Sequence, residues 1–586
     1  MNRKPRKSFM WGKIFLTVCV LILYATVAYA KSSKISPDLQ GNYSSHQVHI
    51  IVQFNQAPHE YYHQKVIGRG GALVRTLGNF KGASYTLPAW ALEDLASDPA
   101  VVYITPDRPL HNSSTTWTLD HHNETINSPA AWAQGLNGAG VGVAIIDSGI
   151  ANVPDVTANN VVYSQDFTGD TVNGAADMFG HGTHVAGIVA GNGYSSTGPN
   201  DSYTFKGIAQ GANLINLRVL DVNGNGNDSE VIAAIQTAIQ LQKTYNIRVI
   251  NLSVSGPVYE SYTLDPLCQA VEQAWNAGIT VVVAAGNYGR DNNADTNGYG
   301  TITSPANDPY VLTVGAMNTE GTPDRTDDVI ASYSSKGPSL IDNVIKPDIV
   351  APGNLIVSLY SAGDTLTQEA PGNVIPTSLY QTNGTSASSG AYFILSGTSM
   401  ATPMVSGAVA LLLQQNPAMT PDQVKARLME TSFKNLQQYA TITDSTTGQS
   451  FNEQADIFTV GAGYLDIQAA LASTNLAPAT VGSALSPLAE IDSNGNVVLA
   501  VNGSSVLGGS GAVWGNTAVW GSAIFSSSPA EGILWGTDVL VGESVLWGNS
   551  GLNSGGLWDS ESGSDQGSGV LWGSGVLWGS GVFWGN

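Results

Sequence analysis

Leu395-Ser396-Gly397-Thr398-Ser399-Met400-Ala401-Thr402-Pro403-Met404 decides how this chain reads. It closes a loop rich in glycine and serine and runs into an apolar helix, with Val405, Ala408, Val409 and Leu412 on one face. Pro403 reads as a first-turn residue, where a missing backbone donor costs nothing. Asn416-Pro417 then stops the helix. Ser399 therefore stands at a helix N-terminus, where free N–H groups and the helix dipole favour negative charge. A serine oxygen there can attack a carbonyl while a neighbouring N–H holds the oxyanion that results. A lone Gly-x-Ser is more often only a cap on a buried helix, so the rest of the chain has to choose.

Upstream, from about residue 117, short apolar runs alternate with helical stretches, the pattern of an α/β fold with a mostly parallel sheet. Residues 141–146 read as a buried strand running into Asp147-Ser148-Gly149, and residues 214–220, 249–253 and 280–285 repeat the pattern. Ligands of open α/β sheets bind beyond the carboxyl ends of strands. Asp147, Ser253 and Asn287 all fall at or just past such ends. Thr420-Pro421-Asp422-Gln423 is a capping box that starts the last clear helix.

A nucleophilic serine needs a base, and histidine is the usual one near neutral pH. The histidines are His46, His49, His59, His63, His111, His121, His122, His181 and His184. The first five precede the α/β region, and His121 and His122 lie in its polar leading segment. A base on a defined α/β element leaves His181 and His184, on the helix of small residues that opens at His181-Gly182-Thr183-His184. A metal pair is the other reading, but the glutamate of His-Glu-x-x-His is missing and the spacing is one short. The base needs an orienting carboxylate, and an otherwise apolar strand delivers Asp147, although a turn aspartate would look the same. Asn287, in Ala284-Ala285-Gly286-Asn287, offers a side-chain donor for an oxyanion; alone it would read as a turn asparagine.

Composition narrows the class. The 586 residues suffice for two or three domains, and 42% hydrophobic content permits a large core. The formal net charge is −22, and after Lys434 there is no Lys or Arg, so no basic stripe exists to bind nucleic acid. Residues 1–30 read as a signal peptide: Arg3 to Lys13 basic, Ile14 to Val27 apolar, and Ala28-Tyr29-Ala30 a cleavage site. No other stretch could span a bilayer. Cys19 leaves with that leader, and Cys268 remains as a small core residue without a partner for an internal disulfide. Residues 31–112 read as a small α+β unit with strands over 48–54 and 101–104 and a helix over 89–96. Residues 476–586 are rich in Gly, Ser, Val and Trp and repeat Gly-Val-Leu-Trp-Gly-Ser near the end, either a stacking repeat or a low-complexity tail.

Three segments now resemble the signatures of the subtilisin-like serine proteases, the subtilases: Ile145-Ile146-Asp147-Ser148-Gly149-Ile150, His181-Gly182-Thr183-His184-Val185-Ala186-Gly187 and Gly397-Thr398-Ser399-Met400-Ala401-Thr402-Pro403. Their order, Asp then His then Ser, is the subtilisin order that serves as a general template for the triad. The resemblance implies a three-layer peptidase domain over residues 113–475, with residues 31–112 as an inhibitory propeptide and residues 476–586 as a repeat tail. It implies a secreted serine endopeptidase made as a zymogen, with Ser399 as nucleophile, His181 as base, Asp147 as its orienter and Asn287 at the oxyanion. His184 becomes a packing residue. Ser253, Val254, Ser255 and Gly256 would wall the specificity pocket opposite Ala285 and Gly286, with Gly298-Tyr299-Gly300 as its floor. Gly224, Asn225 and Gly226 would pair with an extended substrate. Protein or peptide substrates and the chain's own propeptide are the implied partners, and no partner is assigned to the tail. The implied location is extracellular, with cell-surface association left open. No cofactor is required. Many relatives bind calcium, but residues 192–201 lack the usual calcium-loop pattern, so no ligands are assigned.

Overall fold

The computed structural model describes residues 34–106 except 37–38, 40–46 and 78–80, and residues 119–491 except 157–159, 171–173, 292–295 and 445–448, with short strands beyond. The signal segment and the Trp repeats lie outside the described residues. The chain divides into two compact units, residues 1–114 and 115–586.

The first unit is an antiparallel sheet in the order β2-β3-β1-β4. Its strands are β1 (Gln47–Phe54), β2 (Ala72–Leu77), β3 (Gly82–Pro88) and β4 (Val101–Pro106), with helices α1 (Glu60–Ile67) and α2 (Leu92–Ala96). Ile50, Val52 and Phe54 alternate along β1 into a core shared with Tyr85, Leu87, Leu92 and Leu95. The two strands and the helix expected from sequence are present. Strand β2, unread in the sequence, is exposed along nearly its whole length and so carries no alternation.

The second unit is built on an eight-stranded sheet, with β11-β10-β9-β8-β5-β7-β6 in sequence across it and β12 beside β10. These are β5 (Gly142–Asp147), β6 (Val161–Asp166), β7 (Asn213–Arg218), β8 (Ile247–Leu252), β9 (Thr280–Ala284), β10 (Leu312–Asn318), β11 (Val329–Ile330) and β12 (Ile349–Pro352). All pairings are parallel except β10 with β11. Successive residues of β5 enter opposite cores: Val143 and Ile145 on one face, Ala144 and Ile146 on the other. Both faces are therefore covered, as a parallel sheet requires. Helices α3 (His181–Ala190) and α6 (Thr398–Gln415) belong to the first face, and α4 (Asp228–Tyr245) and α5 (Pro266–Asn276) to the second.

Helix α6 corrects two expectations. It is buried on every side from Thr398 to Leu413 rather than along one stripe, as its all-round Ala, Val and Leu content dictates. It also begins at Thr398, so Pro403 lies inside the helix rather than in its first turn. The capping box forms at helix α7 (Pro421–Thr431), with Thr420 and Gln423 exchanging hydrogen bonds. A further short helix, α8 (Ile467–Ala472), follows it.

Residues 476–489, whose composition reads as tail, pack against this unit. Ser486 Oγ donates to Asp348 Oδ1 and accepts from Lys425 Nζ at 2.8 Å. Lys346, Asp348 and Lys425 are fully buried, with Lys346 Nζ 2.7 Å and Lys425 Nζ 3.3 Å from the shared carboxylate. Burial pushes the Lys425 amine down to about 7 against the pull of Asp348. Ala484 N–H donates to Asp422 at 2.8 Å, and Leu488 bridges Val344. A chain ending at residue 491 keeps all of these contacts. One ending at residue 475 should lose at least about 2 kcal/mol on unfolding in denaturant, the worth of hydrogen bonds to a buried charge; equal stability would show the segment to be dispensable.

Candidate active site

Asp147 ends β5 and is fully buried. Its Oδ1 lies 2.7 Å from Nδ1 of His181, the first residue of α3, and also accepts the Ser148 N–H at 2.7 Å. An imidazole held this way presents Nε2 on its opposite edge. The approach is close: a Cβ on Gly182 would lie 2.2 Å from the Gly149 carbonyl oxygen, so only glycine lets α3 start against β5. Asp177, which sequence reasoning passed over, holds this junction. Its carboxylate accepts from Ser148 Oγ, the Phe179, Gly180 and Thr183 N–H groups and the Thr183 hydroxyl, at 2.6–3.1 Å. Ser148 Oγ in turn accepts the Gly182 N–H at 2.8 Å. The signal was an aspartate a few residues before a helix of small residues, the usual position of a capping acid.

Ser399 is the second residue of α6 and is fully buried. Two reciprocal hydrogen bonds fix it to Ser253, just past β8: Ser253 Oγ donates to the Ser399 carbonyl at 2.9 Å, and Ser399 Oγ donates to the Ser253 carbonyl at 3.2 Å. The first has a sequence cause. In a helix the Ser399 carbonyl would accept from residue 403, but Pro403 has no N–H. The Ser253 hydroxyl supplies the missing donor. Ser253 Oγ also accepts from Asn251 Nδ2 at 3.0 Å, and Asn251 Oδ1 accepts from Ser406 Oγ at 2.8 Å, about two turns along α6 from Ser399. Because β5 and β8 are paired with Ile146 opposite Leu252, Ser253 follows its strand where Asp147 ends its own. The sheet edge thus carries the acid of the Asp147–His181 pair and the anchor of Ser399 side by side.

Asn287 follows β9. Its Oδ1 accepts the Thr398 N–H at 2.9 Å and the Thr398 hydroxyl at 3.1 Å, which leaves its amide N–H₂ group turned elsewhere. A Cβ on Gly397 would lie 3.4 Å from Asn287 Nδ2 and 3.7 Å from the Ser399 backbone nitrogen. Two donors therefore border one small space next to Ser399, kept clear because residue 397 has no side chain. The geometry suits a developing oxyanion.

The remaining expected site residues fall in three places. Val254 is buried, and Gly256 exchanges two backbone hydrogen bonds with Ser304 at 2.8–2.9 Å. Ala285 accepts from the N–H and hydroxyl of Thr303, and Gly286 (φ +107°) leaves no room for a side chain above Thr303 and Ser335. Thr303-Ser304, not singled out from sequence, thus joins residues 253–256 to residues 285–286. Gly298-Tyr299-Gly300, expected as a floor, is engaged with other groups, Tyr299 with Asp456 and Gly300 with Gly337. Gly224, Asn225 and Gly226 form a turn after β7 closed on Asp221. Gly224 (φ +78°) rests on the Phe179 ring, two residues before His181.

His184 takes no part in this group. Its Nε2 lies 3.2 Å from the Phe393 carbonyl, and burial pushes its pKa down to about 3, so it stays neutral. His181 and His184 thus face different partners and do not form a metal pair. His122, in the polar leading segment, is buried, with its Nδ1 2.6 Å from Asp120 and Asn123 Nδ2 3.1 Å from its Nε2. Asp120 also accepts the Val357 N–H, so this pair tethers the leading segment to β13 (Ile356–Leu359), which shares a small sheet with β14 (Val374–Pro376) and β15 (Ser388–Leu395). Residues 192–201 do not fit a calcium ion. Asp155, the buried carboxylate beneath that loop, accepts from Ser195 and from Tyr392 Oη at 3.0 Å, and Asp201 accepts from Gly198 and Gln381. A calcium site needs six to eight open oxygens, and among the described residues no group of three or more acidic, His or Cys side chains converges.

Comparison with known proteins gives the family. Residues 138–463 match the model of the Subtilase family. The chain is 38% identical to serine protease AprX of Bacillus subtilis over 322 residues, which is 54% of this chain and 65% of that protein's length. It is 33% identical to subtilisin E of Bacillus subtilis over 432 residues, 73% of this chain and 94% of subtilisin E. It is also 33% identical to the extracellular serine proteinase of a Thermus strain, over 64% of this chain and 76% of that protein. The chain belongs to the subtilase family and is a serine-type endopeptidase. Among the described residues no helix is long and apolar enough to cross a membrane.

The Gly397 contact makes a direct prediction. In Gly397→Ala the new methyl stands between the two donors, so kcat on a peptide substrate should fall by about 10²-fold with circular dichroism unchanged. Unchanged kcat would show that the space is not used by the reaction.

Proposed function

We propose that this protein is a secreted serine endopeptidase made as a zymogen, and that Ser399, His181, Asp147 and Asn287 carry the chemistry. Its substrates are proteins or peptides. The substrate backbone lies extended between Gly224-Asn225-Gly226 and residues 253–256, and its side chain enters the space between residues 253–256 and 285–286. Ser399 Oγ attacks the scissile carbonyl carbon, and His181 Nε2 takes the hydroxyl proton. Asp147, bonded to Nδ1, holds the imidazole in the tautomer that can accept there and stabilises the imidazolium. The carbonyl oxygen becomes an oxyanion between Asn287 Nδ2 and the Ser399 N–H, a donor pair in which one member is typically worth about 2.7–4 kcal/mol. His181 returns the proton to the leaving amine, and water then repeats the sequence on the acyl-enzyme. No metal or cofactor takes part in these steps.

The observation that carries this reading is the pair of donors bordering one space beside Ser399. The buried 2.7 Å contact of His181 with Asp147 supports the base assignment. Residues 31–112 are proposed as a propeptide that assists folding and blocks the site until it is cut off near residues 110–116. The basic and apolar leader supports export of the chain.

Expression of Ser399→Ala with its leader tests the assignment. The variant should accumulate with residues 31–112 attached and leave casein intact. Self-maturation and casein hydrolysis at the parent's rate would remove Ser399 as nucleophile.

A further inference from the structure

The loop carrying Asn287 is gripped by a part of the chain that the reaction itself does not touch. β16 (Tyr439–Thr443) and β17 (Ser450–Gln454) pair antiparallel as a hairpin, with Tyr439 opposite Gln454 and Thr443 opposite Ser450. Asp444, just past β16, is buried and accepts from Arg290 Nη1 at 2.6 Å. Arg290 stands three residues after Asn287. Its guanidinium lies 4.7 Å from the centre of the Phe451 ring on β17, and its Nε donates to Ser332 Oγ at 2.9 Å.

A second ion pair comes from the same hairpin. Glu453 lies 2.7 Å from Lys336 Nζ, with both side chains buried. Lys336 adjoins Ser335, and Ser335 holds both flanks of Asn287: its N–H donates to the Gly286 carbonyl at 2.9 Å, and its Oγ accepts the Tyr288 N–H at 3.0 Å. Gly289 N–H donates to the Tyr333 carbonyl, and a Cβ there would lie 2.1 Å from the Ser334 carbonyl oxygen. The loop is thus pressed onto residues 332–336, and the hairpin holds the loop through Arg290 and its bed through Lys336.

The hairpin's apolar contribution is small: on β16 Ile442 is buried, while Tyr439, Thr441 and Thr443 are exposed. Buried ion pairs of this kind contribute little net stability but are exacting in geometry. An oxyanion donor needs that geometry: misplacing a catalytic group by about 1 Å can cost roughly 10²-fold in rate. We propose that the hairpin Tyr439–Gln454 is a positioning element for the Asn287 amide, with Asp444 and Glu453 as positioning residues acting through Arg290 and Lys336. This rests on the reading of Asn287 as the oxyanion donor.

A double-mutant cycle on the matured full chain, read with a chromogenic peptide anilide, separates the two claims. Asn287→Ala should lower kcat by about 10²–10³-fold. Asp444→Asn should lower kcat about tenfold while KM stays within about twofold, and should change kcat by less than about twofold once Asn287 is Ala, because the effect travels through that side chain. Glu453→Gln should behave like Asp444→Asn and carries the test if the latter does not fold. If Asn287→Ala is defective while the hairpin variants are normal, or equally harmful with and without Asn287, the positioning role is overturned. If Asn287→Ala itself keeps full kcat, the donor assignment beneath it is overturned instead.

Discussion

The two hydrogen bonds between Ser253 and Ser399 hold this site together. They join the start of the central helix to the end of a central strand, across 146 residues of sequence. One is required by the chain itself, because a proline four residues after Ser399 leaves a buried carbonyl without its helical partner, and a buried carbonyl without a donor costs on the order of 1–3 kcal/mol. The hydroxyl of Ser253 satisfies it and in doing so fixes where the helix begins.

From that junction the rest of the geometry follows by register. β8 lies beside β5, so the strand end that anchors Ser399 neighbours the strand end that delivers Asp147. β9 lies beside β8 and leads to Asn287, whose carbonyl oxygen caps Thr398. Helix α3 starts against the Asp147 turn through Gly182 and the Asp177 cap. The four proposed site residues thus come from four elements whose spacing is set by backbone pairing and by helix caps. Glycine at 182 marks where α3 comes too close to the Asp147 turn for a side chain, and glycine at 286 where the Asn287 loop does so against Thr303 and Ser335.

What the sequence makes legible follows the same physics. Asp147, His181 and Ser399 each sit in a short run of fixed spacing, and buried parallel strands announce themselves as continuous apolar runs. Local reading failed where the cause lay elsewhere in the chain. The start of α6 depends on Ser253, so Pro403 was misplaced by a turn. The all-round burial of α6 reflects elements packed on every side, which one helical wheel does not display. Residues 476–489 are tail-like in composition, yet Ser486 enters a buried cluster made by Asp348 and Lys425. The hairpin 439–454 has only a narrow apolar face, Ala440, Ile442 and Phe451, which it shares with Glu453. Its role is visible only when Arg290 and Asp444, 154 residues apart, are seen as one contact.

Covalent labelling tests the account most directly. A fluorophosphonate reacts with a serine only when a base activates it and an oxyanion site receives the phosphoryl oxygen. Peptide mapping of the labelled, matured protein should find one adduct, on the peptide containing Ser399, and none when His181 is replaced by Ala. An adduct on another serine, or continued peptide hydrolysis by a protein that takes no label, would contradict it.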